Sequence, residues 1–482
     1  MRKKESAIII SKMTTRHLGC LSEERRRWIL YIFCFSCMCI IAGVVYGWPA
    51  LRQQLKDEGT DLTEKQLGAI FTVGAWSTQG GRFLTGLARD RFGTRLTACA
   101  SFLMCTAGSL GMAISDPSNA IALGISLFAL GLGSGIQLCV QPVAELFPNN
   151  AGSILSSLSG AYQLSGLVFL ALCNPSNNRL ASFLGFAAFL LVLTVMAAFL
   201  LPEGKSFLVE QEEKGRVLKT MDSTKEDGRE EPSEVTFSQP VSELYKEKAA
   251  KRECDDADML NSRNASEDGD PSPSPHPDES QSVQEDKPPS ALEQMKSAEY
   301  VSLTVWFSTL LVPLQYYVGS IGFQLEEKGD DDGFYTNLFS ITFAAAVVVA
   351  PVGGYMSDNL GLGITQGVAT SLSAISLFIL ASNLPLDAQI VGLVAYGVGR
   401  MFVFSMYFAN VGKRFGYANF GTLTGVGLLT SAIVSLVQYP LIALAADGNS
   451  STVNTACGSV LLGLLPYCVW LDRRERAGIG AI

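Results

Sequence analysis

The chain has 482 residues, 48% of them hydrophobic, and carries 36 Lys and Arg against 45 Asp and Glu. Its positive mean hydropathy and its many apolar runs of about 20 residues are the mark of membrane-spanning helices, not of a soluble globular domain. The net charge of −9 is misleading: residues 203–294 hold 24 acids and 12 basic residues, so the rest of the chain is +3 and offers no basic surface to nucleic acid.

Residues 1–27 are expected to be a basic cytoplasmic N-terminal tail without a cleavable signal, because Ala7 to Ile10 is too short an apolar stretch. The first spanning segment is expected from Trp28 to Ala50. It ends on Tyr46-Gly47-Trp48-Pro49, which reads as interfacial aromatics beside a helix breaker. Further segments are expected near 65–87, 96–115, 120–146, 152–173 and 180–201, which completes a bundle over residues 28–202. Residues 203–294 are acidic, polar and rich in Pro and Ser, and cannot bury enough apolar area to offset their ordering entropy. They are expected to be a disordered cytoplasmic linker. A second bundle over 295–472 then has segments near 300–323, 334–356, 363–382, 388–411, 420–445 and 453–471, with a cytoplasmic tail at 473–482.

An internal repeat ties the bundles together. Gly86 to Arg95 reads G-x-x-x-D-R-x-G-x-R after the second segment. A fainter copy, Gly354-Tyr355-Met356-Ser357-Asp358-Asn359-Leu360-Gly361, stands 268 positions later, after the eighth. The junctions Glu145–Ser153 and Arg414–Thr422 also match in pattern, each with a Phe, a breaker, an Asn and a Gly-Ser or Gly-Thr that opens a helix. Such a duplication is the architecture of many secondary transporters. The expected fold is an all-α membrane protein of twelve transmembrane helices in two pseudo-symmetric six-helix bundles.

Charge placement orients the chain. With both termini cytoplasmic, the short inner segments carry sixteen Lys and Arg, while the outer loops carry five: Arg52, Lys56, Lys65, Arg179 and Lys328. The sequon at Asn264 is then cytoplasmic, and the one at Asn449 is external and open to glycosylation.

Catalytic and metal chemistry have no footing. The only histidines, His17 and His276, lie outside the spans, no P-loop is present, and the eleven cysteines lack metal-ligand spacing. No enzyme activity, cofactor or metal is expected; Cys34 and Cys37 behave as small apolar residues within a span. What remains is transport of a small solute by a chain whose other partner is the lipid bilayer, and the carrier is expected to be a monomer.

Ionisable groups inside spans are few, and each is a functional candidate because burying a charge there costs several kcal/mol. Arg400 stands near the middle of segment 10 and needs an anion, best a bidentate carboxylate. It is either a substrate ligand or a structural arginine bonded to carbonyls. Arg82, in segment 2, is expected to snorkel or to pair with Glu145. Asp90, Arg91, Arg95 and Glu145, with the turn glycines Gly86 and Gly93, form a cytoplasmic gating cluster, and Asp358 marks the equivalent place in the second half. Asp90 would meet the free N–H groups at the start of segment 11 and latch the halves on the inside. Uncharged candidates for the cavity are Gln137, Gln141, Tyr162, Gln163, Ser165, Gln315, Tyr316, Tyr317 and Asn337, any of which is also suited to bonding between helices. With no Asp, Glu or His at a segment centre, a proton relay has no residue, which favours facilitated diffusion.

These halves and the motif after segment 2 resemble the major facilitator superfamily. A narrower resemblance is to solute carrier family 43, the large neutral amino acid transporters. It rests on Tyr46-Gly47-Trp48-Pro49-Ala50-Leu51 with Leu55-Lys56-Asp57-Glu58-Gly59, on Asn419 to Gly425 with Ser431-Ala432 and Gln438-Tyr439-Pro440, and on Arg400. Arg82 departs from that pattern. The resemblance implies alternating access at a plasma membrane, with branched or aromatic neutral amino acids as substrates. Arg400 would hold the carboxylate, and helices 1, 4, 5, 7 and 8, Tyr46 included, would form the pocket. Because the family also holds a nucleobase carrier, nucleobases and organic anions stay open as substrates. A membrane sensor that signals through the linker and transports nothing is the reading from another class.

Overall fold

The computed structural model describes residues 23–147, 151–173, 178–204, 207, 290–415 and 419–477, without the side chains at 151–153, 156 and 358. The N-terminal tail to residue 22, the linker apart from 203–204, 207 and 290–294, residues 148–150 of the Asn150 junction and the Asn264 sequon lie outside the described residues. The end of the stretch expected to be disordered is instead part of a short helix, Ala291–Lys296, capped by Ser290. All regular structure among the described residues is helical.

Helix α1 is Glu23–Ile41, carried through the tight turn Val44–Gly47 into Trp48–Asp57. Then follow α2 (Glu64–Phe92), α3 (Thr94–Ile114), α4 (Ala120–Leu146), α5 (Ala151–Leu164 with Leu167–Leu172) and α6 (Arg179–Leu200). The second half has α7 (Ala298–Glu326), α8 (Phe334–Ala345 with Ala350–Asn359), α9 (Leu362–Ala381), α10 (Leu386–Phe415), α11 (Phe420–Val434 with Gln438–Leu444) and α12 (Ser450–Leu462 with Leu465–Arg476). Among the described residues eight stretches are alone long and apolar enough to cross a membrane, nine with the bent α1. Phe420–Arg476 counts there once, although Gly448 at φ 86° breaks it between α11 and α12. Among the described residues these make twelve helical segments, beside the short Ala291–Lys296, near the positions that the apolar runs predict.

Helix starts carry their own caps. Thr63 and Gln66 form a reciprocal capping box on α2, and the side chains of Asn119, Asn178 and Ser297 accept first-turn N–H groups of α4, α6 and α7. The two parts of α1 meet at 42°. Pro49 does not end the helix; it sits in the first turn of a new helical piece, where its missing N–H costs nothing. The bend is clasped by α5: Gly43 N–H donates to the Ser165 hydroxyl at 2.7 Å, and a Cβ on Gly47 would stand 2.4 Å from the Gly166 carbonyl. Tyr46 and Trp48 are therefore each 1% exposed within the bundle, not at a membrane surface as the sequence led us to expect.

The duplication has a structural counterpart. Gly93 at φ 85°, ψ 169° and Gly361 at φ 92°, ψ 164° adopt the same conformation at the two motif turns. In each half the helix that follows is tied to the half's end, the stretch just after α6 in the first and α12 in the second. Thr94 and Arg95 N–H groups bond the Gly204 and Pro202 carbonyls, and Arg95 reaches Glu203 at 2.7 Å. Leu362 and Gly363 N–H groups bond the Glu475 carboxylate. A Cβ on Gly93 would fall 1.9 Å from the Glu203 carbonyl oxygen, on top of the positive φ. Gly93→Ala should therefore cost more than about 2 kcal/mol, read as a lower melting temperature and lower yield of folded protein. An unchanged melting temperature would refute this account of the turn.

Candidate functional site

At the level of the α1 bend the two halves share one buried group. Arg82 on α2 and Arg400 on α10 are each 0% exposed. Arg82 Nη1 donates to Gln79 Oε1 at 2.7 Å, and Arg400 Nη1 donates to the Tyr396 hydroxyl at 3.3 Å. These spacings, i to i+3 and i to i+4, put each pair on one helix face. Nε and Nη2 of both arginines have no hydrogen-bond partner, and among the described residues no carboxylate pairs with either.

Aromatic faces surround the two cations. Arg400 Cζ lies 4.2 Å from the Tyr46 ring centroid, 5.2 Å from Phe404 and 5.7 Å from Phe343. Arg82 Cζ lies 4.8 Å from Tyr162 and 5.9 Å from Phe404. Cation–π attraction, up to about 2 kcal/mol when desolvated, offsets part of the burial cost. It cannot offset all of it, since the effective penalty is several kcal/mol per ion. Two unit charges on the order of 10 Å apart also repel by roughly 1–2 kcal/mol at an effective dielectric of about 20. Arginine does not escape by losing its proton. The burial of the two guanidiniums is thus left without a charge of opposite sign among the described residues.

Tyr46 joins the halves. Its hydroxyl accepts from Gln79 Nε2 at 3.1 Å and from Gln315 Nε2, on α7, at 2.8 Å. Tyr162 packs 5.9 Å from the Tyr46 ring. Four sequence candidates, Arg400, Tyr46, Tyr162 and Gln315, are thus brought together. Gln79, Tyr396, Phe343 and Phe404 were not anticipated. Their signal, helical spacing from a buried arginine, lies in Gln79-x-x-Arg82 and Tyr396-x-x-x-Arg400.

Other candidates fall elsewhere. Arg82 neither snorkels nor bonds Glu145; its rotational position on α2 turns it into the bundle. Gln137, Gln141 and Gln163 are buried on α4 and α5 but bond neither guanidinium, and the Oε1 atoms of Gln137 and Gln163 are unbonded. Tyr316 faces another way, accepting from Gln324, which in turn bonds Asn454 of α12. Tyr317 stacks on Tyr396 at 4.1 Å, and Tyr396 donates to the Leu314 carbonyl at 2.7 Å. Asn337 is half-buried in the first turn of α8, with its N–H on the Gly333 carbonyl, and has no described bond to either arginine.

The inside latch is not formed. The Asp90 side chain is 52% exposed and its described ion-pair partner is Arg89, at 3.8 Å. The amide of Asn419, at the start of α11, donates to Gln294 instead. Arg91 is exposed over Phe92, Glu145 is exposed on the last turn of α4, and the Asp358 side chain lies outside the described residues. Gly86 is half-buried facing Leu138 of α4, whose carbonyl receives Arg89 Nη1 at 2.6 Å.

Ions join the halves at the opposite end, the side expected to be external. Arg52 of α1, 1% exposed, donates to Glu64 through Nε at 2.9 Å and through Nη2 at 2.6 Å, and to Glu326 of α7 at 2.7 Å. Lys56 reaches Glu326 at 2.6 Å, and Lys65 reaches Asp447 at 2.7 Å. Ile442 packs where Cβ atoms on Gly68 and Gly319 would stand. Toward the motif end the halves meet by packing: Gly160 against Val347 and Ala350, and Gly425 against Phe83. The site is therefore closed on both sides. Asn449 is exposed between α11 and α12 and remains a proposed glycosylation site.

A two-bundle membrane protein with a closed polar site between its halves is a transporter by class. The profile of the Major Facilitator Superfamily matches residues 28–438, and the chain belongs to that superfamily. The equilibrative nucleobase transporter 1 of Bos taurus is 23% identical over 455 residues, 84% of this chain and 86% of the bovine protein. A D-xylose transporter of Levilactobacillus brevis is 28% identical over 29% of this chain and 32% of its own length. The 4-hydroxybenzoate transporter PcaK of Acinetobacter baylyi is 27% identical over 39% of this chain and 41% of its own length. Among solved structures, a POT family transporter in complex with 5-aminolevulinic acid superposes with a TM-score of 0.63 at 13% identity, over 93% of this chain and 96% of that one, a likeness of fold.

Proposed function

We propose that this protein carries planar, ring-bearing organic anions across a membrane by alternating access. One observation carries the reading: two buried guanidiniums, one from each half, have four unbonded nitrogens between them in an aromatic setting. A carboxylate or an enolate-like ring oxygen would take the charge-assisted bonds, and Tyr46, Tyr162, Phe343 and Phe404 would stack the ring. A neutral amino acid, the expectation from sequence resemblance, brings a carboxylate that fits Arg400. It also brings an ammonium, and two guanidiniums repel it while no described carboxylate of the group attracts it.

A second reading, uncharged nucleobases, is favoured by the likeness to the bovine nucleobase transporter along most of both chains. Uptake of labelled urate, 4-hydroxybenzoate, hypoxanthine, phenylalanine, leucine and xylose by proteoliposomes of the purified full chain separates the readings. The expected result is urate or 4-hydroxybenzoate uptake at least tenfold above the others. Preferred uptake of hypoxanthine moves the assignment to nucleobases, and preferred uptake of phenylalanine or leucine restores the amino-acid reading.

A further inference from the structure

We propose that this carrier is an anion exchanger, one that returns across the membrane efficiently only when loaded. The inference rests on the anion reading of the central site and adds to it the transport mode, which departs from the facilitated diffusion that the lack of a proton relay favours.

The two charges belong to different moving parts. Arg82 is on α2 of the first half and Arg400 on α10 of the second, and both lie against the same Phe404 ring, at 5.9 Å and 5.2 Å from its centroid. In an open state, water from that side can hydrate both guanidiniums. The closed state places both at 0% exposure, with Nε and Nη2 of each unbonded. Tyr46, Gln79, Tyr396 and the surrounding rings offer dipoles and π faces there, and no formal negative charge.

Every reorientation of an alternating-access carrier passes through a closed state. An empty carrier must therefore dehydrate two like charges and bring them together without compensation. A loaded carrier brings an anion between them, so the closed state is favoured by the solute itself. A solute shifts a conformational balance only through different affinity for the two states, and here the difference is built into the position of the arginines. Loading lowers the barrier in both directions. The empty return is the slow step, and the observable result is exchange.

No proton or sodium ion is needed for this coupling. It also makes the two arginines unequal to a single binding arginine. One cation on one half would fix the solute, whereas a cation on each half makes closure depend on the solute.

The test is efflux of labelled urate preloaded into proteoliposomes of the full-length carrier, measured into urate-free buffer and into buffer with excess unlabelled urate. Exchange predicts efflux at least tenfold faster into urate. Arg82→Gln removes one charge of the pair. It should weaken urate uptake, yet narrow the ratio of exchange to net efflux to about threefold or less, because the empty return now hides one charge. A purely structural role for Arg82 would lower both rates and leave the ratio alone. Equal efflux into both buffers by the parent protein overturns exchange while leaving the anion reading intact. Transport of hypoxanthine with none of urate or 4-hydroxybenzoate overturns the anion reading and, with it, the exchanger.

Discussion

Arg400→Ala should abolish uptake, by about 100-fold or more in kcat/KM, and leave the melting temperature unchanged or raised. The two halves of that expectation come from the same feature. Losing charge-assisted bonds worth about 3 kcal/mol to a bound anion gives the fall in transport. Stability moves the other way because Arg400 has no carboxylate to orphan: its one hydrogen bond goes to Tyr396, whose hydroxyl still has the Leu314 carbonyl. Removing one of two like charges relieves their repulsion and one ion's desolvation, against a loss of cation–π contact with Tyr46. Arg400→Lys keeps the charge without the planar fork, and should retain a weak activity with a raised KM. Arg82→Leu should follow the same pattern from the other half. The measurements are uptake and thermal melting on the same purified samples. A melting temperature that drops together with uptake would make Arg400 a structural arginine.

The fold was legible in the sequence because apolar length and the repeated motif are one-dimensional signals. Gly93 and Gly361 keep their spacing from Asp90 and Asp358 for a reason visible only in three dimensions, the shared left-handed turn and the chain end packed upon it. The site was legible only in part. Arg400 stood out as a charge where charges are expensive. Arg82 could be assigned to a segment but not to a face of its helix, and the face is what aims it at Tyr162 rather than at the membrane edge or Glu145. Gln315, Tyr316 and Tyr317 are successive residues of one helix, about 100° apart, and they face Tyr46, Gln324 and Tyr396 respectively. Composition cannot tell such neighbours apart. Tyr46 was read as interfacial because Pro49 was taken for an end, whereas proline in a first turn opens the next piece of helix.

Breaking the Arg52 ion group should open the end of the carrier that holds it. Arg52 is nearly fully buried and bridges Glu64 on its own half to Glu326 on the other, with Lys56 on the same carboxylate. The motif end has no such bridge among its described ion pairs: Arg95–Glu203 and Arg474–Glu299 each stay within one half. Among the described residues, the ion bridge between the halves is thus at the Arg52 end, and the contacts between them at the motif end are packing ones. Arg52→Ala leaves Glu64 and Glu326 beside Lys56 alone, and a bridge of this kind is worth about 2 kcal/mol or more, enough to move a two-state balance more than tenfold. Lys65–Asp447 also crosses the halves, but its side chains are 47% and 50% exposed, so Lys65→Ala should do little. Ile442→Cys reports the difference, because Ile442 is 0% exposed and closes against Gly68 and Gly319. In a background without other reactive cysteines, reconstituted in nanodiscs that expose both faces, its labelling by a water-soluble maleimide should rise at least tenfold with Arg52→Ala and stay near the parent rate with Lys65→Ala. Equal labelling in the parent and in Arg52→Ala would mean that the ions decorate a closure made by Ile442 and its glycine contacts alone.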